Sequence, residues 1–98
     1  MVKQIVFTKT FLVEFEEILA FVATFYSEDS AEAIQDMILQ RVSLLNQFPY
    51  SGHVISEDGD NIIYRIIKGR YNIYYTVRGE FVRLVSIRDA KIDDRFIN

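Results

Sequence analysis

The chain has 98 residues, half of them apolar, with 11 Lys and Arg against 14 Asp and Glu for a formal net charge of −3. That length implies one domain, residues 1–98, with a small core and a correspondingly small margin of stability. The lack of cysteine excludes a disulfide scaffold, thiolate metal sites and thiol catalysis and fits a reducing, cytoplasmic compartment, while no apolar run approaches the roughly 18 residues of a membrane span and MVKQIVF is too short for a signal peptide.

Val2 to Phe7 alternates loosely and predicts a strand at about residues 3–7, followed by a turn at Thr8–Thr10. In TFLVEFEEILAFVATF the apolar residues at 11, 12, 15, 18, 19, 22 and 25 follow a helical period with one broad buried stripe. Glu14, Glu16 and Glu17 fall on the other face. Thr8 or Thr10 caps the start, and either placement puts acid in the early turns, where the helix field favours it. Tyr26–Ser30 reads as a tight connection with Ser27 or Ser30 as the next N-cap. A second helix is expected from about Ser30 to Gln47, with Ala31, Ile34, Met37, Ile38, the stem of Arg41, Val42 and Leu45 inward. Leu44 and Phe48 are expected to close that stripe. Pro49, which has no amide hydrogen, stops the helix, and Pro49 and Gly52 bracket a loop.

The remainder is β. His53–Ser56 reads as a short edge strand, EDGDN as a polar turn and Ile62–Lys68 as an isoleucine-rich strand. Gly69 and Arg70 form a turn or a bulge, Arg70–Val77 is the next strand, Arg78-Gly79-Glu80 is a compact hairpin and Phe81–Ile87 is the last strand. Alternation puts Tyr71, Ile73, Tyr75 and Val77 on one face and Arg70, Asn72, Tyr74 and Thr76 on the other. The order β-α-α-β-β-β predicts an α+β domain, with two antiparallel N-terminal helices packed on one face of a small, mainly antiparallel twisted sheet.

Charge divides the chain. Residues 1–60 hold ten acids against three bases, whereas residues 61–98 hold eight bases against four acids. The sheet face left bare by the helices therefore draws on Arg65, Lys68, Arg70, Asn72, Tyr74, Arg83, Arg88 and Lys91. Such side chains can contact phosphate or stabilise charge on a transferring phosphoryl group. Taken singly, each is better read as part of a solvated face linked to Asp89 or Glu80. As a cluster they favour a partner-binding surface. Tyr64, Tyr71, Tyr74 and Tyr75 are suited to stack on bases, but at strand spacing at least half belong to the core. Tyrosine, with an ordinary pKa near 10, needs help to act as a base at neutral pH. No P-loop, Rossmann glycine motif, HExxH or EF-hand loop is present. EDGD reads as a solvated turn, and His53 stands alone, so neither a metal nor a cofactor is expected.

The chain resembles the RelE/ParE toxins of bacterial type II toxin–antitoxin modules over nearly its whole length. The opening strand and turn are matched by IVFTKT and the acidic first helix by FLVEFEEILAFV. The end of the second helix and its proline–glycine loop are matched by LLNQFPYSG, the strand pair by YRIIKGRYNIYYTV, and the closing strand with its basic end by VRLVSIRDAK. The resemblance implies the same α+β fold and a cognate antitoxin that wraps the toxin with a helix and often a strand. RelE-like members are ribosome-dependent endoribonucleases that cut messenger RNA in the decoding site, using sheet arginines and lysines and often a C-terminal tyrosine or histidine. ParE-like members poison DNA gyrase.

Carried over by position, Arg65 matches the family's arginine on the strand that starts with Tyr64, and Lys68 follows on that strand. Lys91 lies near the basic position after the last strand, with Arg88 as the nearby alternative. Ile67 and Asn72 stand where many nuclease members carry arginines. No tyrosine or histidine follows Lys91, and Asp93 and Asp94 would repel phosphate. The resemblance therefore implies a ParE-like toxin that acts by binding a target such as DNA gyrase, rather than an enzyme. Arg65, Lys68, Arg70, Tyr74, Arg88 and Lys91 are its expected target-binding residues. Its expected assembly is a homodimer or an antitoxin-linked hetero-oligomer. The inhibitory partner is expected in the apolar groove between helices and sheet, or on an open strand edge. The alternatives are a ribosome-dependent messenger-RNA interferase, with Arg65, Lys68, Lys91 and Arg88 as the catalytic set and Tyr71 or Tyr74 stacking a base, and a non-toxic orphan binding module of the same fold.

Overall fold

The computed structural model describes residues 2–91. In chain order they form β1 (Gln4–Phe7), α1 (Lys9–Phe25), α2 (Glu28–Ser43), a 3₁₀ turn (Leu44–Asn46), β2 (His53–Asp58), β3 (Asn61–Lys68), β4 (Tyr71–Arg78) and β5 (Phe81–Asp89). The expected α+β fold is present, with four strands after the helices instead of the three of the β-α-α-β-β-β order, the edge strand β2 being the addition, and β2 and β5 each run two residues beyond their predicted ends.

Thr8 is the cap of α1. Its hydroxyl accepts from the Phe11 amide at 3.2 Å and donates to the Leu84 carbonyl at 2.8 Å, so one side chain both starts the helix and ties it to the sheet. The first turn of α1 holds no acid; the helix starts at Lys9, and its first acid, Glu14, falls in the second turn. Ser27 caps α2 by accepting from the Ser30 amide at 3.0 Å. The second helix thus begins before Ser30, with Glu28 and Asp29 near its positive end.

α1 buries Phe11, Phe15 and Val22, and α2 buries Ile38 and Val42. The stripe is narrower than predicted. Leu12 sits one residue, about 100° of rotation, from Phe11 and faces outward with Phe25. Leu44 and Phe48 do not close the second stripe, being 50% and 59% exposed. α2 ends at Ser43, and the tighter winding of the 3₁₀ turn brings Leu45, not Leu44, into line with Ile38 and Val42.

The sheet order is β1-β5-β4-β3-β2. β1 runs parallel to β5, and the other pairs are antiparallel. The three hairpins are each two residues long and begin with Gly59, Gly69 or Gly79 at positive φ, while no other residue type among the described residues has positive φ. Glycine at positive φ in the first position of a two-residue loop is the pattern of a II′ hairpin turn, whose twist matches that of the flanking strands. Gly69-Arg70 is therefore a turn and not a bulge. α1 packs on β5 and α2 on β3. Between the layers lie Tyr64, Ile66, Tyr71, Ile73, Tyr75, Val82, Leu84 and Ile87, in one core with the helix residues. None of the helices among the described residues is long and apolar enough to cross a membrane.

Candidate functional site

β4 divides its side chains between two environments. Tyr71, Ile73 and Tyr75 belong to the core under the helices, whereas Asn72 and Tyr74 point to the sheet face on which neither helix lies. Register extends that second face across the sheet. Arg65 of β3 pairs with Tyr74, which pairs with Ser86 of β5. Ile67 pairs with Asn72, which pairs with Arg88. Thr76 pairs with Arg83, and His53 of the edge strand pairs with Arg65.

A bulge decides the membership of this face. The β4–β5 register passes from Tyr75↔Leu84 to Tyr74↔Ser86, leaving Val85 as an extra residue. Plain alternation from the buried Val82 and Leu84 would have sent Ser86 and Arg88 toward the helices. The extra residue reverses the parity, buries Ile87 in the core and turns Ser86 and Arg88 to the face opposite the helices, where Ser86 is itself buried.

Glu14 of α1 reaches this bulged end. β1 pairs with β5 only as far as Phe7↔Leu84, and the Thr8 amide donates to the Leu84 carbonyl. Beyond that point the Glu14 carboxylate takes over. Its Oε1 accepts from the Ser86 hydroxyl at 2.8 Å and the Ile87 amide at 3.2 Å, and its Oε2 lies 2.9 Å from Arg88 Nε. Sequence reading put Glu14 on the solvent face. The missed signal was its spacing: 11, 14, 15, 18 and 22 are one stripe, and an acid within such a stripe needs partners.

The predicted basic residues do not converge on one surface. Arg65 and Arg88 share the face opposite the helices, where Arg65 Nε is buried and without a hydrogen-bond partner among the described residues. Tyr74 lies between their strands at 2% exposure, so its ring is not offered to solvent. Lys68 pairs with Tyr71, which pairs with Asp89, and that row belongs to the helix side. Arg70 sits in the β3–β4 turn and bridges Asp89 at 2.9 Å. The Lys91 amide donates to Asp89 Oδ1 at 2.9 Å just past β5. Asp93 and Asp94, weighed above as repelling phosphate, lie outside the described residues.

The helix side carries a groove of about 670 Å³. Ile18, Phe21 and Val22 of α1 form one wall, Ile34 of α2 the other, and Tyr71 the floor. Glu17 and the Arg70–Asp89 pair stand at its rim. Burial pushes the Tyr71 hydroxyl above the ordinary tyrosine range, with Arg70 opposing the shift and Asp89 adding to it. Tyr71 therefore stays a neutral, partly apolar floor at physiological pH. No group of three or more metal-ligating side chains is found among the described residues.

A family model described as ParE toxin of type II toxin-antitoxin system, parDE, matches residues 5–94. Among solved structures, one described as the chromosomal ParDE TA system from P. aeruginosa is similar with a TM-score of 0.75. The match covers 90% of this chain and 96% of that one at 13% identity. At that identity the likeness is one of fold. No curated protein matches this sequence.

Proposed function

This chain belongs to the ParE toxin family of type II toxin–antitoxin systems, and we propose that it acts in the cytoplasm by binding DNA gyrase through the sheet face opposite its helices. Its role as the toxin of such a module, with a cognate antitoxin as partner, follows from the family match over residues 5–94.

The observation that carries the binding mode is the pairing of Arg88 with Glu14 beside Arg65. A face built to cradle a phosphate would leave its cations free of carboxylates, because a fixed acid next to the site repels the anion. Here one of the two central arginines already has a carboxylate partner. Ile67 and Asn72, where nuclease relatives carry arginines, occupy the row that contains Arg88. This arrangement suits a protein partner whose own polar groups join a mixed-charge patch. Arg65, Arg88 and Arg83 are the side chains of that patch, and Tyr74 is buried on the strand between them. Lys68, Arg70 and Lys91 flank it from the helix side and the end of β5, and contribute only if the target wraps that end of the sheet.

The antitoxin takes the other side of the molecule. The groove between α1, α2 and Tyr71 is apolar within and charged at its rim, which fits an amphipathic helical segment. Occupation of that groove links toxin and antitoxin into a hetero-oligomer.

Induced expression with and without the neighbouring antitoxin gene tests this reading when translation and DNA supercoiling are measured separately. The expected result is loss of supercoiling with translation initially intact, relieved by the antitoxin. Codon-linked messenger-RNA cleavage on translating ribosomes would replace the gyrase reading with a nuclease one.

A further inference from the structure

We infer that Glu14 is a positioning residue of the target-binding face, acting through Arg88; the inference rests on the reading of that face given above. Three observations converge on it. First, β1 stops pairing at Leu84, yet β5 continues to Asp89. The Ile87 amide on the vacated edge belongs to a residue that is 1% exposed, and water cannot readily replace its missing strand. Glu14 Oε1 supplies the acceptor that a longer β1 would have provided.

Second, the same carboxylate binds Ser86 and Arg88, the two side chains that the Val85 bulge turns to the face opposite the helices. Arg88 Nε also points at Ser86 Oγ, at 3.4 Å. The recorded contacts of Arg88 among the described residues thus fall on Nε, the atom nearest its stem. An arginine held at Nε keeps one orientation of its planar fork and leaves its terminal nitrogens available to a further partner. Third, Glu14 projects from a helix anchored by Thr8 to the same strand, so its position relative to β5 is set by a rigid element.

Glu14 is therefore not a contact residue for the target. It orders one, reducing the rotamer freedom that Arg88 would otherwise lose on binding.

The test uses the full chain co-purified with and then freed from its antitoxin, with three readouts: inhibition of gyrase supercoiling, antitoxin binding and thermal stability. Glu14→Gln keeps an oxygen for Ile87 and Ser86 but loses the charge facing Arg88. It is expected to bind antitoxin normally, to melt within a few degrees of the parent and to weaken inhibition about tenfold, the size of one coupled contact. Arg88→Ala is expected to weaken inhibition at least as much. The double variant Glu14→Gln with Arg88→Ala is expected to lose no more than Arg88→Ala alone, since Glu14 acts through Arg88. Unchanged inhibition in Glu14→Gln beside a clear loss in Arg88→Ala would overturn the positioning role and leave the target face standing. Additive losses in the double variant would overturn it as well. Normal inhibition by Arg88→Ala would instead remove the target-face reading, and the inference with it. If the parent chain leaves gyrase untouched, growth arrest on induced expression replaces the supercoiling readout, and the same comparisons decide.

Discussion

The Gly52 amide donates to the Tyr75 hydroxyl across 2.9 Å. The residue after the helix-breaking Pro49 loop is thus fastened to a central strand 23 positions away. Tyr75 stacks on Tyr64, with ring centroids 5.2 Å apart, and Tyr50 of the loop meets Tyr64 edge-on at 6.0 Å. The loop that leads into the edge strand is therefore held by an aromatic stack and one polar contact, rather than by backbone pairing to another strand.

There is no room at Gly52 for a side chain. An added Cβ would lie 2.5 Å from the Tyr75 hydroxyl oxygen and 2.9 Å from its ring. Gly52→Ala is expected to cost about 1–3 kcal/mol, the usual penalty of forcing a packed site apart. Removing the hydroxyl relieves part of the clash, so Gly52→Ala with Tyr75→Phe should lose less than the two single changes summed. Denaturant unfolding of the four proteins measures this, and strict additivity would contradict the geometry.

Burial raises the Tyr75 hydroxyl above the ordinary tyrosine value, against the hydrogen bonds from Gly52 and Ser51, and it raises Tyr71 likewise. The folded state therefore favours the neutral phenol, while the unfolded chain ionises near pH 10. Stability from these two groups is fully present below about pH 10 and is lost as pH rises from there through the folded-state values. Unfolding midpoints across alkaline pH should show that decline, and Tyr75→Phe should make it shallower. An unaltered slope in the variant would exclude Tyr75 as a source.

The two helix caps differ in what they touch. The Ser27 hydroxyl is exposed and bonds locally to Ser30, whereas the Thr8 hydroxyl joins α1 to Leu84 of β5. Ser27→Ala is expected to cost about 1 kcal/mol. Thr8→Ala is expected to cost about 2 kcal/mol, because it also leaves a part-buried carbonyl with one partner fewer. Chemical denaturation ranks the two, and equal losses would mean that the contact to Leu84 contributes nothing.

Phe21 lines the groove yet is 56% exposed, and its ring meets Phe25 at 4.7 Å. Phe21→Ala should leave stability within about 0.5 kcal/mol. If the groove receives the antitoxin, the same change should weaken that complex by more than about 1 kcal/mol, as expected for an aromatic anchor. Calorimetric titration of purified antitoxin provides the comparison. Undiminished affinity would move the antitoxin to another surface.

Much of the architecture was legible because its signals are local. Helical spacing in FLVEFEEILAFV and in the Ile34–Leu45 stretch, the proline after α2 and the glycines between β-branched runs each report on neighbouring residues only. The same locality explains the misses. Leu12, Phe25, Leu44 and Phe48 obey the helical period or flank it, but whether such a residue is covered depends on where the opposing layer ends. Strand content alone groups Arg65, Lys68, Arg70, Arg88 and Lys91 on the sheet face that the helices leave, because it does not show which side of the sheet each takes. The sheet register sends Lys68 to the helix side and leaves Arg65 and Arg88 together, while Arg70 stands in the β3–β4 turn, tied to Asp89.

The amino-acid pattern alone determined the two helices, the antiparallel strands and the resemblance to the RelE/ParE family. Only the tertiary structure decided which arginines share a face. That decision lies in one extra residue, Val85, and one helix carboxylate, Glu14. Side-chain parity along a strand is set by pairing with neighbours far away in sequence, and here the neighbour β1 ends at Leu84, one residue before the bulge. No local period encodes that ending. It is therefore the fold that turns Arg88 to the face opposite the helices beside Arg65, and a glutamate from a helix that holds it there.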